Sequence, residues 1–408
     1  MTARELNEKS SRNCLIFSVL FHSLRCGRHF NAVGDFSAVK FFEVARPDKS
    51  ATLETPEPMK SFQYQRAQTA DAATSLARRE PGLDFIAGGT TQVDLMKENV
   101  MRPDVLLDLN PILSQTISAR EGGLRIGAGV SNTAVATHPE VVSRYPGLSE
   151  AILAGASAQI RNMATMGGNV LQKTRCPYYR DTAMPCNKRE PGTGCGALTG
   201  INADHAIFGA SPACIALYQG DMAVPLYALD AVVQTVLPGG ARSIKITDLH
   251  RLPGDAPHVD TILQQGEIIT FIDLPAFNGR SHYLKIRDRS SYAYARVSCA
   301  VALEMDGDKI VRARIALGSV AHKPWRATAA ETMLAGQTPT ESLFREAARA
   351  TFADAKPLEY NAYKVPLGQN VMVRCLMETS GLLPLQGVPG TVFASSVGAV
   401  AGMAVDDA

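Results

Sequence analysis

The sequence has little that would attract a polyanion. Its 408 residues contain 41 Lys and Arg against 39 Asp and Glu, which leaves a formal net charge of +2. One Trp and 6% aromatic residues provide few platforms for stacking on bases. Because nucleic acids and anionic membranes are captured by an excess of positive charge, neither is expected as a partner. Proteins and small molecules are therefore the expected partners.

Long apolar segments are also missing. No run of about eighteen apolar residues occurs, so no membrane-spanning helix is predicted. The apolar stretch from Cys14 to Phe21 follows basic residues, but neither a twin-arginine pair nor a small-residue cleavage site accompanies it. Export on a signal within this chain is therefore not expected.

Length and patterning predict an α+β protein with more than one domain, since a chain of this size is too long for one compact core. Residues 1–58 end in a Pro-rich acidic stretch and are predicted to be a disordered or non-native leader, with Met59 as a candidate start. Residues 59–279 alternate helix and strand patterns, and residues 282–383 form a meander followed by helices. Residues 384–408 are predicted to be a frayed tail.

Three local expectations follow from the same patterns. The Ala-rich stretch 147–163 predicts helix throughout, and a strand is predicted after the glycine pair at 167–168. Gly279, Arg280 and Ser281 are predicted to form a linker between the two main regions.

Two glycine pairs stand in similar surroundings. The first is in AGGTT, after an apolar strand pattern, and the second is in TMGGN. Paired glycines let backbone N–H groups approach an anion, and the neighbouring Thr and Asn side chains add donors, which suits a diphosphate. Two tight turns are the alternative interpretation. Neither pair fits the G-x-G-x-x-G fingerprint or the P-loop, so a Rossmann nucleotide site is disfavoured.

Half of the eight cysteines lie close together in sequence. Cys176, Cys186, Cys195 and Cys214 have the spacing C-x9-C-x8-C-x18-C in a charge-dense stretch. Zinc sites use close cysteine pairs, which are missing here, so the wide spacing favours an iron–sulfur cluster. Two disulfides or four inert thiols are the alternatives. The single cysteines are interpreted as core or incidental thiols: Cys14, Cys26, Cys299 and Cys375.

Basic residues accompany this cysteine group. Arg175, Arg180, Lys188 and Arg189 lie within or beside it and are expected to offset the negative charge of a four-cysteine cluster. Simple solvation of a surface loop is the alternative for each of them. His205, next to Asp204, is interpreted as structural or as orienting the cluster loop, and no catalytic residue is assigned.

Several segments together resemble a known family. They are IAGGTTQVDLMK, RPDVLLDLN, GAGVSNTAV, ASAQIRNMATMGGNVLQ, HAIFGASPACIALYQGDMAVPLYALDA and YLKIRDRSSYAYARVSCAVAL. In this order they resemble the FAD-binding subunits of the xanthine dehydrogenase family of molybdenum hydroxylases. The block CPYYRDTAMPCNKREPGTGC is similar to that of the bacterial periplasmic aldehyde oxidoreductases, whose FAD subunit has an additional [4Fe–4S] cluster.

The resemblance implies a two-lobed FAD-binding domain of the vanillyl-alcohol-oxidase (PCMH) type over residues 59–279, with the cluster insertion at 172–214. It implies a small C-terminal domain of sheet and helices, of the CO dehydrogenase flavoprotein type, over residues 282–383. It also implies a heterotrimer with a molybdenum-cofactor subunit and a [2Fe–2S] subunit. Export would then depend on the iron–sulfur partner, which makes the periplasm the expected location and the cytoplasm the alternative.

By position, the resemblance assigns residues to each cofactor. The expected FAD contacts are Ile86, Ala87, Gly88, Gly89, Thr90, Thr91, Thr165, Gly168, Asn169, Asp221, Ile269 and Lys285. The expected cluster ligands are Cys176, Cys186, Cys195 and Cys214.

The function that follows is electron transfer by an oxidoreductase subunit, from iron–sulfur clusters through FAD to an external acceptor. Two other functions remain open. One is an independent flavin oxidase or dehydrogenase of the same fold. The other is a non-catalytic scaffold whose cysteines hold structural zinc.

Overall fold

The computed structural model describes residues 58–385. The predictions for the leader and the tail therefore fall almost entirely on residues outside this range. The strands are β1 (Gln63–Arg66), β2 (Leu83–Ile86), β3 (Val105–Asp108), β4 (Ile117–Arg120), β5 (Gly123–Gly127), β6 (Val232–Leu237), β7 (Gly240–Lys245), β8 (Ile268–Leu274), β9 (Arg280–Ile286), β10 (Val297–Asp306), β11 (Lys309–Gly318) and β12 (Trp325–Arg326). The helices are α1 (Ala70–Arg79), α2 (Gln92–Lys97), α3 (Asn132–Ala136), α4 (Pro139–Arg144), α5 (Pro146–Ala154), α6 (Ala158–Met163), α7 (Met166–Val170), α8 (Pro177–Arg180), α9 (Ala223–Ala228), α10 (Ile246–Leu249), α11 (Thr328–Leu334), α12 (Glu341–Phe352) and α13 (Lys364–Ser380).

A small parallel sheet carries the first glycine pair. Its strands have the order β1-β3-β2, and β3 in the centre is mostly buried. Helix α1 follows β1 and begins at the cap residue Thr69, whose side chain accepts a hydrogen bond from Ala72 N. The glycine pair follows β2 directly, at the carboxyl edge of the sheet, which is where α/β folds commonly bind ligands.

A second, antiparallel sheet forms the other lobe of this region. Its strand order is β4-β5-β8-β6-β7, so the neighbouring strands β5 and β8 are far apart in sequence. The central strands contribute Ile126, Val233 and Ile272, each fully buried, to the larger hydrophobic core. This core also includes residues of α5 and α9.

The C-terminal region is a four-stranded antiparallel sheet, in the order β12-β11-β10-β9, packed against α11, α12 and α13. Gly307, with φ +57°, makes the turn between β10 and β11. A second hydrophobic core joins this sheet to its helices, and Phe344 and Leu376 are fully buried in it. The mixture of sheets and helices agrees with the predicted α+β class.

The helix predicted over 147–163 is two helices. Helix α5 ends at Ala154, and α6 begins after Ser157, whose side chain accepts a hydrogen bond from Ile160 N. Between them, Ala156 has φ +49°, a left-handed conformation that no continuous helix contains. Alanine propensity gave no sign of this break, because the cap at Ser157 and the local packing outweigh it.

Two further local predictions are wrong. The segment after Thr165 is helix α7 rather than a turn leading into a strand, because the Thr165 side chain accepts a hydrogen bond from Gly168 N and caps the helix. The linker predicted at 279–281 is already part of β9 from Arg280, which pairs with Leu303 of β10. No helix in residues 58–385 is both long enough and apolar enough to cross a bilayer.

Candidate functional site

One large cavity collects the expected FAD contacts. Its volume is about 840 Å³, at the upper end of ordinary ligand sites. All twelve expected contacts line it: Ile86, Ala87, Gly88, Gly89, Thr90, Thr91, Thr165, Gly168, Asn169, Asp221, Ile269 and Lys285. These residues come from both lobes and from β9, so the fold unites segments that are far apart in sequence.

The first glycine loop is pressed against the chain that leads to the second. A Cβ on Gly88 would lie 2.0 Å from the carbonyl oxygen of Met163, so only glycine fits there. Gly89 has φ +68°, and its carbonyl accepts the hydrogen bond of Val93 N, which starts α2. The cavity wall at this point is therefore backbone rather than side chain, as a diphosphate site requires.

The second glycine loop is fixed by hydrogen bonds to neighbouring backbone. Gly167 N donates to Ala128 O at 2.9 Å, and Asn132 N donates to Ala164 O at 2.8 Å. Thr165 caps α7, as described above, and leaves one face of Gly168 open to the cavity. The two glycine loops therefore form adjoining parts of one wall.

A buried polar group lies in the cavity near β9. Lys285 Nζ is 2.8 Å from Asp221 Oδ2 and donates to Ala154 O at 3.1 Å, and Tyr283 Oη donates to Asp221 Oδ1 at 2.6 Å. Burial, and then the negative charge of Asp221, raise the pKa of Tyr283 well above its usual value. Asp221 therefore holds Lys285 in a fixed position at the cavity wall and is itself held by Tyr283, which lies in the core behind that wall.

Several residues that line the cavity were not predicted from the sequence. Asn132 is 3% exposed, and its Oδ1 has no hydrogen-bond partner among the described residues. A buried acceptor without a partner is costly, so this atom is poised for a bound donor. Arg161 and the exposed Tyr292 also line the cavity. Asn132 lies within the segment GAGVSNTAV, and its position after the cap residue Ser131 was the available signal.

The residues of the cavity fit FAD. The site combines two glycine loops for a diphosphate, an unpartnered Asn132 oxygen, and apolar walls such as Ile152 and Ile269 for rings. Its length across two lobes suits a dinucleotide rather than a small ligand.

The four clustered cysteines also come together. Cys186 and Cys195 face each other in an antiparallel bridge, and Cys214 forms another with Ser211. The thiols are close enough to interact electrostatically. Cys186 and Cys214 both raise the pKa of Cys176, and Cys195 raises the pKa of Cys214. The described cysteines are free thiols, so the two-disulfide alternative is not realised.

Backbone and histidine nitrogens surround these sulfurs. Burial raises the pKa of Cys176 to about 12, although the N–H groups of Tyr179 and Tyr178 favour its thiolate. Burial also raises the pKa of Cys214 to about 11, against the N–H of Ala216, which lies 3.5 Å from the sulfur. Thiolates in such a buried place require compensating positive charge, which a metal cluster supplies.

No three Cys, His, Asp or Glu side chains in residues 58–385 are close enough to hold a single metal ion. The four ligands of a [4Fe–4S] cluster bind four different irons, so they stand farther apart than the ligands of one ion. The cluster on these cysteines therefore stays a prediction, with four thiols of one segment as the donors it would need.

The four basic residues near the cysteines have partners within the protein, and their expected role beside a cluster stays a prediction. Arg175 and Arg180 both bind Asp94, at 2.5 and 3.0 Å. Arg189 Nη1 donates to the carbonyls of Tyr178 and Tyr179, which ties the loop together. Lys188 forms an ion pair with Asp260. Arg175, Arg180 and Lys188 are therefore paired with carboxylates, whereas Arg189 is bonded to backbone carbonyls.

His205 lies beside the first cysteine. Its Nε2 is 3.2 Å from Cys176 Sγ. Burial, and then the charge of Lys364, lower the pKa of His205 to about 4, so the ring is neutral at pH 7. This contact is consistent with a role in orienting the cluster loop.

The fold and the cavity define a flavoprotein subunit with a separate C-terminal domain. Residues 60–277 match the family described as FAD binding domain in molybdopterin dehydrogenase, and residues 282–379 match the CO dehydrogenase flavoprotein C-terminal domain. The chain thus belongs to the FAD-binding subunits of the xanthine dehydrogenase (molybdenum hydroxylase) family and is an oxidoreductase subunit.

Two relatives and one structure illustrate this membership. The aldehyde oxidoreductase FAD-binding subunit PaoB of Escherichia coli is 47% identical over 325 residues, which cover 78% of this chain and 98% of that one. The glyceraldehyde dehydrogenase medium chain of Sulfolobus acidocaldarius is 26% identical, over 72% and 89% of the two chains. A carbon monoxide dehydrogenase structure from Hydrogenophaga pseudoflava shares the fold, with a TM-score of 0.62 and 24% identity over 79% and 98% of the chains.

Proposed function

We propose that this chain is the electron-transfer subunit of a molybdenum-dependent aldehyde oxidoreductase. It holds FAD in the large cavity and a [4Fe–4S] cluster on Cys176, Cys186, Cys195 and Cys214, and it passes electrons from iron–sulfur clusters through FAD to an external acceptor. The 47% identity to an aldehyde oxidoreductase FAD-binding subunit supports aldehyde as the substrate class of the whole assembly.

The observation that carries the proposal is the adjacency of the two sites. Arg175 and Pro177 line the FAD cavity, and Cys176 between them belongs to the cysteine group. The cavity and the cysteines therefore share one segment of backbone as a common wall. Two redox cofactors held this way are neighbours, which an electron relay requires.

The cofactor supplies the conversion between one-electron and two-electron chemistry, since a flavin exchanges electrons singly or in pairs. The chain's own residues hold the flavin in position. The glycine loops place backbone N–H groups along the cavity wall, and Asp221 fixes the Lys285 ammonium within it. The half-exposed side chain of Tyr292 lines the same cavity from the loop between β9 and β10.

The proposal includes two partner subunits in a heterotrimer. One carries the molybdenum cofactor and oxidises the aldehyde, and the other carries [2Fe–2S] clusters. We place the complex in the periplasm, exported in assembled form on a signal of the iron–sulfur partner, with the cytoplasm as the alternative. Cell fractionation with activity staining decides between the two compartments.

Metal and flavin analysis of the purified complex tests this function. Iron with acid-labile sulfide in this subunit, together with flavin absorbance, supports the relay. Zinc without flavin absorbance would instead support the scaffold alternative. Aldehyde turnover by the isolated chain with flavin alone would support the independent flavin enzyme.

A further inference from the structure

A tied loop over residues 250–262 lies against the cysteine group. Backbone hydrogen bonds close it at its base, where Arg251 N donates to Asp260 O at 2.8 Å and Ile262 N donates to Leu249 O at 2.9 Å. His250 and Thr261 add an antiparallel bridge. The loop is therefore a fixed element that belongs to the FAD-binding region.

Asp260 in this loop binds two lysines from the cluster insertion. Its Oδ2 lies 2.7 Å from Lys173 Nζ, three residues before Cys176 in the sequence. Its Oδ1 pairs with Lys188 Nζ, two residues after Cys186. One carboxylate thus fixes the segments that carry two of the proposed ligands. Lys173 also lines the FAD cavity.

Two backbone carbonyls of the same loop add further anchors. Pro257 O accepts a hydrogen bond from Lys188 Nζ at 2.8 Å. Gly254 O accepts one from Ser211 Oγ at 2.8 Å, and Ser211 is bridged to Cys214. The loop therefore contacts three separate cysteine-bearing segments.

The ion pair between Asp260 and Lys188 is buried on the lysine side. The Lys188 side chain is 2% exposed, and His322 Nε2 lies 3.0 Å from its ammonium. Burial, and then the charge of Lys188, lower the pKa of His322 to about 4 against the opposing effect of Asp260, so the ring is a neutral acceptor. Asp260 is therefore the carboxylate that neutralises Lys188, and an unpaired ammonium at this depth would be costly.

We propose that Asp260 is a positioning residue for the [4Fe–4S] cluster, which aligns the cysteine-bearing segments against the FAD-binding region and neutralises the lysine beside Cys186. The inference rests on the proposed function, since it requires a cluster in this chain. It assigns to Asp260 two effects that can be separated: retention of the cluster and the cluster's reduction potential.

The test is Asp260→Asn in the full complex, with iron per flavin and the reduction potential of the cluster as readouts. Residues that support metal ligands commonly change metal affinity by roughly 10-fold to 100-fold. We therefore expect the variant to retain FAD but to lose its cluster about ten-fold faster than the wild type under a chelator. The remaining cluster should have a higher potential, because Lys188 and Lys173 then present uncompensated positive charges.

A second variant separates charge from folding. Asp260→Asn with Lys188→Gln removes the carboxylate together with the deeply buried one of its two lysine partners. Lys173, whose side chain is 31% exposed, keeps its charge in both variants. The double variant should therefore fold and return the potential part of the way toward the wild-type value. Asp255→Asn, an exposed position in the same loop, is the matched control and should change neither readout.

The outcomes are distinct. Wild-type iron retention and potential in Asp260→Asn would overturn the inference, as would equal potentials in the single and double variants. Parallel loss of flavin and iron would also overturn it, because Asp260 would then support the whole fold. A wild-type complex without iron in this subunit would instead remove the proposed function itself.

Discussion

The FAD cavity takes its lining from residues between 85 and 296, whereas the four cysteines lie between 176 and 214. The cavity walls are strand ends, helix ends and backbone that the larger hydrophobic core already fixes. The cysteine insertion shares a small core with α2, formed by Leu95, Tyr179 and Cys186, and adds Ile207 and Phe208 to the second hydrophobic core. Long side chains such as Arg189 and Lys188 hold the rest of it.

This difference shows two ways of building a cofactor site. A site made from the backbone of several elements is formed when the domain folds, and it is sensitive to added volume. A site on a single inserted segment depends on ion pairs, hydrogen bonds and the bound metal to hold it in place, so it is sensitive to the loss of a charge or a ligand. The two sites should therefore respond differently to substitution.

Loss of a proposed cluster ligand should have the largest effect. Cys186→Ser removes one thiolate, so the broad visible absorbance and iron of the [4Fe–4S] cluster should disappear completely, while FAD remains bound. Absorbance spectra and iron counts on the anaerobically purified complex measure this. Cys375→Ala, a buried thiol of the C-terminal core, is the control and should leave both cofactors in place.

If flavin is lost together with iron in Cys186→Ser, the cluster is part of the cavity's support. The two sites would then be one folding unit, contrary to the comparison above.

Added volume in the first glycine loop should give the next largest effect. This effect should be on FAD binding. The Cβ of Gly88→Ala would lie 2.0 Å from Met163 O, so the two glycine loops must separate. We expect FAD to bind at least about ten-fold more weakly, by the usual cost of overpacking, with iron unchanged. Gly240→Ala is the matched control, because no atom lies within 4 Å of its added Cβ. Normal FAD affinity in Gly88→Ala would contradict the backbone wall.

Removal of the carboxylate at Asp221 should destabilise the cavity moderately. Asp221→Asn leaves Lys285, whose side chain is 4% exposed, without its counter-charge. A loss of about 3 kcal/mol in the free energy of unfolding is expected, measured in urea on the FAD-free protein. Lys285→Met in the same chain should recover part of it, since the unpaired charge is then gone. No recovery in the double variant would show that the carboxylate acts otherwise than through Lys285.

The smallest expected effect is a pH dependence at the contact between the two main regions. Burial lowers the pKa of His282, but the hydrogen bond to Glu150 and further negative charge outweigh it and raise the pKa to about 9. His282 Nε2 also lies 2.8 Å from Glu378 of α13. The charged ring thus joins α5 to the C-terminal helix.

Because the folded pKa is above the unfolded value of about 6.5, this stabilisation is complete below pH 6.5 and is lost as pH rises through 9. We expect about 2 kcal/mol less stability at pH 9 than at pH 7 from this group, measured by urea unfolding. His282→Gln should flatten that part of the profile. An unchanged slope in the variant would show that other groups cause it.

Much of the cavity was predictable because its signals are local. Paired glycines after an apolar strand mark a close backbone approach, and Gly88 occupies such a position. The meander that contains β10 and β11, and the helices that follow it, were also predicted from the sequence pattern. The positions of Asp221 and Lys285 came from family resemblance rather than from local pattern.

The ion pairs that hold the cysteine insertion were not predictable, because they join residues far apart in sequence. Lys188 pairs with Asp260 and the two arginines near Cys176 pair with Asp94, but nothing in the local sequence names these acids. A charged residue in a loop looks solvated until the fold supplies its partner. The break at Ala156 was missed for a similar reason, since alanine itself favours helix.

The most direct test of the account is a count of flavin and iron on the complex isolated without oxygen. The account predicts one FAD in this subunit and about four irons with matching acid-labile sulfide, both lost selectively in the variants above. A preparation in which this subunit has neither flavin absorbance nor iron would contradict it.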